Sequence, residues 1–93
     1  MRYQYRATKQ FWRSYYALPA SLKEEARLAW QLFKEDPFHP ALRTHKINRL
    51  SARAGCTIWS ASVASDARVI FAIEGDVVTT IDIGSHDLYR MRW

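Results

Sequence analysis

The sequence predicts an α+β domain in the order strand, helix, helix, strand, strand, strand, with an antiparallel sheet and both helices packed on one of its faces. Three observations carry that expectation. The last third, Trp59 to Arg90, alternates apolar and polar residues in three short runs separated by turn residues. Two stretches before it repeat apolar residues at helical spacing, and a short alternating stretch precedes both.

Residues Arg2 to Arg6 alternate polar or charged residues with Tyr3 and Tyr5, as a first strand would with its tyrosines turned to the core. Thr8 is placed to cap a helix over Lys9 to Ala17, where Phe11, Tyr15 and Leu18 form an apolar stripe widened by Trp12 and Tyr16. Pro19 breaks that helix. A second starts at Pro19 or at Ser21, because Ser21 to Glu24 has the form of a capping box, and it runs to about Lys34. Leu22, Ala26, Ala29, Leu32 and Phe33 share its inner face, and Pro37 disfavours helix at Asp36. In the terminal strands, Trp59, Ala61 and Val63 oppose Ser60 and Ser62. Val69, Phe71 and Ile73 oppose Arg68, Ile70 and Ala72, and Val77, Thr79, Ile81 and Ile83 form the inner set of the last strand. Ser65-Asp66 and Glu74-Gly75-Asp76 supply the turns, Gly75 being free to take a positive φ. The expected interior centres on Phe11, Leu22, Phe33, Val69, Phe71 and Ile81.

Between the second helix and these strands, from Pro37 to Gly55, periodicity lapses and only Leu42, Ile47 and Leu50 can anchor the chain. Long ordered connections in small domains tend to carry function. No acidic residue occurs between Pro37 and Ser65, whereas Arg43, Lys46, Arg49 and Arg53 lie there with His39 and His45. That interval suits phosphates or an acidic protein segment, although a solvated basic loop would look the same.

Ninety-three residues, 48% of them hydrophobic and 25% charged, fit a single domain over residues 1 to 93 and exclude a mainly disordered chain. The expected location is cytoplasmic: no apolar run is long enough to span a membrane, no signal peptide pattern opens the chain, and the lone Cys56 cannot form an internal disulfide. No Cys/His spacing matches a zinc site, Cys56 lacks an activating neighbour, and Ser85 has no triad around it. The terminal cluster Ser85-His86-Asp87-Leu88-Tyr89 does hold residue types that transfer protons.

The run Asp36-Pro37-Phe38-His39-Pro40, then Leu42, Arg43, Lys46 and Ile47, Trp59-Ser60, Val63, Arg68, Gly75-Asp76 and Ile83-Gly84-Ser85-His86-Asp87-Leu88-Tyr89 resembles the RelE/ParE toxin superfamily across nearly the whole chain. It is most similar to small members ending in Ile-Gly-Ser-His-x-x-Tyr. The resemblance implies an endoribonuclease that cleaves mRNA in the ribosome and is neutralised by an antitoxin protein. The chemistry it implies is attack of a ribose 2′-hydroxyl on the adjacent phosphate, which requires neither metal nor cofactor. Arg68 matches a strand arginine implicated in catalysis, and His86 and Tyr89 match the basic or histidine residue and the tyrosine after the last strand. His86 is then the acid and Arg68 the phosphate clamp. Tyr89 or Asp87 would serve as base, because the chain lacks the early-strand carboxylate of some members. Arg43, Lys46, Arg49 and Arg53 would hold RNA phosphates, and Trp59 would stack on a base.

Structural roles compete with each of these. His86 could make a strand-end hydrogen bond, Arg68 could pair with Asp82 or Glu74, and Tyr89 and Trp59 could pack in the core. At the level of the protein, the alternatives are a ParE-like inhibitor of DNA gyrase that cleaves nothing, and an inactive regulatory homologue that still binds an antitoxin.

Overall fold

The computed structural model describes residues 3–48, 51–52 and 55–85. The chain runs β1 (Gln4–Ala7), α1 (Lys9–Ala17), α2 (Ala20–Glu35), a 3-10 turn (Pro40–Leu42), β2 (His45–Lys46), β3 (Ile58–Ala64), β4 (Ala67–Glu74) and β5 (Val77–Gly84). The strands form one sheet in the order β1-β5-β4-β3-β2. The meander β3 to β5 is antiparallel, as expected; β2, in the stretch where no element was expected, pairs antiparallel with β3, and β1 joins the other edge parallel to β5, so the sheet is mixed rather than antiparallel throughout. Parallel neighbours need a crossover, and the two helices provide the first part of it.

Local chemistry sets the helix ends. Thr8 stays extended and its hydroxyl oxygen accepts from the backbone N–H of Phe11, satisfying one open donor of α1. The capping box expected at Ser21 to Glu24 does not form: α2 begins one residue after Pro19, without a side-chain cap. Pro19 presets the φ of the entry, and its carbonyl already accepts from Lys23 N–H at 3.0 Å. The Glu24 carboxylate turns instead to Arg27, which holds it below its ordinary pKa through the hydrogen bond and then through charge. Asp36 ends α2 in extended backbone before Pro37.

Both helices cover one face of the sheet. Phe11 of α1 and Ala26 and Phe33 of α2 close over Ala61, Val63, Ala67, Val69, Phe71, Val78 and Ile83. Phe33 meets Phe71 edge-on at 4.9 Å, and Trp30 stacks on Phe33. Tyr5 fixes α2 over β1 by donating to the Phe33 and Lys34 carbonyls, and burial pushes its phenol above the ordinary pKa, with smaller contributions from Tyr3 and Asp36. The other face carries a smaller cluster of Ile58, Ile70 and Ala72, packed with Ile47, Cys56 and Ile81. Arg68 belongs to this second face. Of the six residues expected at the centre, Phe11, Phe33, Val69 and Phe71 are buried, and Leu22 and Ile81 are half-buried.

The last strand departs from the expected phase. Val78 and Thr80, rather than Val77 and Thr79, point at the helices. The register explains why: Phe71 pairs with Thr80 but Ile70 pairs with Asp82, so Ile81 is an extra residue on β5. This β-bulge flips the phase, which returns Ile83 to the core and turns Asp82 to the second face. Thr8 secures the bulge, because its hydroxyl donates to the Ile81 carbonyl at 2.6 Å while its N–H donates to Thr80 at 3.0 Å.

Thr8 therefore joins the start of α1 to the point where β5 changes phase. Thr8→Ala is expected to lower stability by roughly 1–2 kcal/mol in urea unfolding, the upper range for a lost cap, because it also removes the bond to Ile81. Thr8→Ser, which keeps the hydroxyl, should restore most of that loss.

Candidate functional site

Antiparallel register places directly opposed residues on one face, so the rungs of the sheet show what surrounds Arg68. One rung is Ser62, Arg68 and Gly84. The Arg68 guanidinium donates to the Ser62 hydroxyl at 2.7 Å, which spreads the half-buried side chain across the sheet. Across from it, Gly84 ends β5, and the chain passes through Ser85 to His86. The next rung is His45, Ser60, Ile70 and Asp82. Four strands thus bring an arginine, two serines, a histidine and a carboxylate onto the face turned away from the helices.

Burial on these rungs is unusual for polar groups. Ser60 and Asp82 are both fully buried. Asp82 accepts from the Ile83 N–H at 2.8 Å, whereas the Ser60 hydroxyl has no hydrogen-bond partner among the described residues. An unmet buried hydroxyl costs free energy that Ala would not, so a serine persists there against the folding interest. His45 is exposed at the edge, and its Nδ1 lies 3.1 Å from the Arg43 carbonyl. A carbonyl oxygen only accepts, so Nδ1 carries the proton and the Nε2 of the neutral ring offers a lone pair. Arg43 itself takes a left-handed conformation, φ 50°, at the end of the 3-10 turn.

The residues singled out from sequence separate accordingly. Arg68 and Arg43 both line a groove of about 610 Å³ around the end of the β3–β4 hairpin, with Glu25 on its α2 side. Lys46 does not join them: it pairs with Trp59, one residue out of phase with His45, and so sits on the helix side of the sheet. The period of two that brings His45 to Arg68's face carries Lys46 away from it. Trp59 packs against the core and meets Phe38 edge-on at 5.0 Å, so its ring is engaged on the helix side. His39 accepts from Ala41 N–H at 3.1 Å and serves the loop. Arg49, Arg53, His86, Asp87 and Tyr89 lie outside the described residues.

Sequence reasoning missed His45 as a neighbour of Arg68 and missed the Glu25 carboxylate, whereas it named Asp82 as a pairing partner of Arg68 without the bulge that brings it there. Asp82 reaches the arginine's face only through the bulge, and Glu25 arrives from α2, where both its oxygens accept from Ser65 at 3.3 Å. The paired serines at 60 and 62, alternating inside a buried strand, were the signal available for this face.

No known protein family and no curated protein matches the chain by sequence. Solved structures do match its fold. The archaeal RelE–RelB complex from Pyrococcus horikoshii OT3 superposes with a TM-score of 0.69 at 16% identity, covering 91% of this chain and 96% of that one. YafQ in the E. coli DinJ–YafQ toxin–antitoxin complex gives 0.71 at 12% identity, covering 95% and 97%. A YoeB/ParE toxin from Agrobacterium tumefaciens gives 0.64 at 19%, covering 92% and 99%. The chain has a RelE/ParE-like toxin fold.

Because the Ser60 hydroxyl is buried without a partner among the described residues, Ser60→Ala should leave stability unchanged or raise it by about 1 kcal/mol. Chemical denaturation measures this directly, and a loss of similar size would show that the hydroxyl is satisfied.

Proposed function

From a RelE/ParE-like toxin fold with a strand arginine on the face its helices leave open, we propose that the chain is the toxin of a toxin–antitoxin pair. It acts as an endoribonuclease that cleaves mRNA in the ribosome by acid–base chemistry. The observation that carries this reading is the Ser62–Arg68–Gly84 rung, which sets the arginine beside the point where the chain leaves β5 for His86. Two neighbours of the fold were solved as complexes with RelB and DinJ, which supports an antitoxin protein as partner.

In this reading the 2′-oxygen bonds to phosphorus as the bond from phosphorus to the 5′-oxygen breaks, giving a cyclic phosphate and a free 5′-hydroxyl. Arg68 clamps the phosphate and offsets the charge that builds on its oxygens. Arg43 adds charge from the groove. His86 gives its proton to the 5′-oxygen, and Asp87 and Tyr89 follow it in sequence as the first candidates for base. His45 is a further candidate base: with Nδ1 donating to the Arg43 carbonyl, the Nε2 of a neutral ring would be the acceptor. Arg49 and Arg53 extend the phosphate-binding charge in the loop, and Lys46 contributes from the helix side.

Induction of the chain should arrest growth and cut mRNA. His86→Ala and His45→Ala should each lower cleavage by about 10²-fold or more with little change in RNA binding, whereas Arg68→Ala should weaken both. Should wild type cut no RNA, a ParE-like binding toxin replaces the enzyme.

RNA affinity should also fall as salt rises, with a smaller slope in Arg43→Glu than in wild type. Filter binding across a salt series tests this, and affinity indifferent to both salt and reversal would reduce the basic loop to solvated surface.

A further inference from the structure

The groove beside Arg68 differs from the cleft that opens between α1, α2 and β1. That cleft is floored by Val63, Val69 and Ile83, and its hydroxyls are engaged: Tyr5 donates to the Phe33 and Lys34 carbonyls and Thr80 to that of Arg6. The groove, at about 610 Å³, has the size of a small-ligand site and the mixed lining of one. Leu28 and Leu32 of α2 form one wall, and Ala64 and Ala67 of the β3–β4 hairpin form the other. Leu28 is 57% exposed, so a large aliphatic surface stands open at the rim. Such a surface suits the flat face of a nucleobase.

The charged side chains of the groove are Arg43, Arg68 and Glu25. A carboxylate near two arginines cancels part of their positive potential, so a groove that only held phosphate would work better without it. Glu25 is also tied in place. One of its oxygens accepts from the Ser65 N–H and the other from the Ser65 hydroxyl, each at 3.3 Å, which fixes the carboxylate against the turn of the hairpin. A carboxylate has about four lone-pair sites, so each oxygen keeps one for a ligand.

Two acceptors side by side select a base edge with two adjacent donors. Guanine presents that edge through N1–H and its 2-amino group. Adenine and cytosine set a ring acceptor beside their amino group, and uracil flanks its single N–H with carbonyl oxygens. Each of these three turns a lone pair toward the carboxylate. Position agrees with chemistry, because Arg68 is three residues from Ser65 and thus within roughly 10 Å along the chain. One nucleotide bridges such a distance from its phosphate to the edge of its base.

We propose that the groove is a base-specific subsite. The nucleotide next to the phosphate held by Arg68 unstacks, lays its base on Leu28 and Leu32, and is read as guanine by Glu25, with Ser65 as the positioning residue. The inference rests on the reading that RNA is cleaved on the face of Arg68, and it adds the sequence preference of that cleavage.

The test uses fluorescence anisotropy of short labelled uridine strands made uncleavable by one 2′-deoxy substitution. Guanosine, inosine or adenosine is placed on either side of the phosphate that follows the substitution. Inosine keeps N1–H but lacks the amino group, so guanosine should bind at least about tenfold tighter than inosine at one of the two places. Glu25→Gln, which offers a single acceptor, should bring that ratio below about twofold, and Ser65→Ala should lower it in part. Arg68→Ala should weaken all strands and leave the ratio intact. A Glu25 that merely braced the hairpin would change every affinity alike, so the ratio separates recognition from structure. Equal binding of guanosine and inosine in wild type, a ratio unmoved by Glu25→Gln, or a preference for adenosine would overturn the proposal. So would displacement of the RNA by guanosine monophosphate at equal concentration, which identifies a free nucleotide as the ligand. Cutting of the all-ribose strands is measured in parallel. A chain that prefers guanosine but cuts nothing keeps the subsite and loses the enzyme, one that cuts without base preference keeps the enzyme and loses the subsite, and one that binds no RNA loses both.

Discussion

A single extra residue, Ile81, determines how this sheet is used. Without the bulge, β5 would continue in the phase of Val78 and Thr80, Asp82 would face the helices, and Arg68 would oppose Ile83 instead of Gly84. A carboxylate in the aromatic core would be costly to ionise there, and burial of Ile83 would be lost. The inserted residue solves both problems in one step: it keeps an apolar residue inside at each end of the strand and turns the acid to the other side. Thr8 holds the device in place from the first turn of α1.

The two faces of the sheet consequently serve different ends. The helix side is a dense aromatic and aliphatic core built on Phe33 and Phe71, and it supplies the rigidity. The other side accepts Arg68, Ser60, Ser62 and Asp82, polar groups that a domain selected for stability alone would replace. Local violations of packing rules that persist on a rigid scaffold concentrate at working sites.

Much of this was legible in the sequence. The order of elements, the Thr8 cap, the end of α2 before Pro37 and the placement of Arg68 away from the helices all follow from spacing, capping and the period of two. The phase of β5 was not legible, because Val77-Val78-Thr79-Thr80-Ile81 is β-branched at every position and scores equally in either register. A bulge leaves no mark in such a run. The same blindness affected the loop: with periodicity lapsed, only the pairing of His45 with Ser60 and of Lys46 with Trp59 reveals which of two adjacent cations faces Arg68. Glu25 could not be tied to the site at all, since its proximity to Ser65 arises from the packing of α2 on the β3–β4 hairpin.

The central claim is that RNA is handled on the sheet face that holds Arg68. It is tested most directly by mapping amide chemical shifts of the labelled chain on adding a short RNA made uncleavable by a 2′-deoxy substitution at one position. The account predicts shifts concentrated at His45, Ser60, Ser62, Arg68, Gly84 and Ser85, with the α1–α2 cleft silent. Shifts confined to α1, α2 and β1, with that face unmoved, would contradict it.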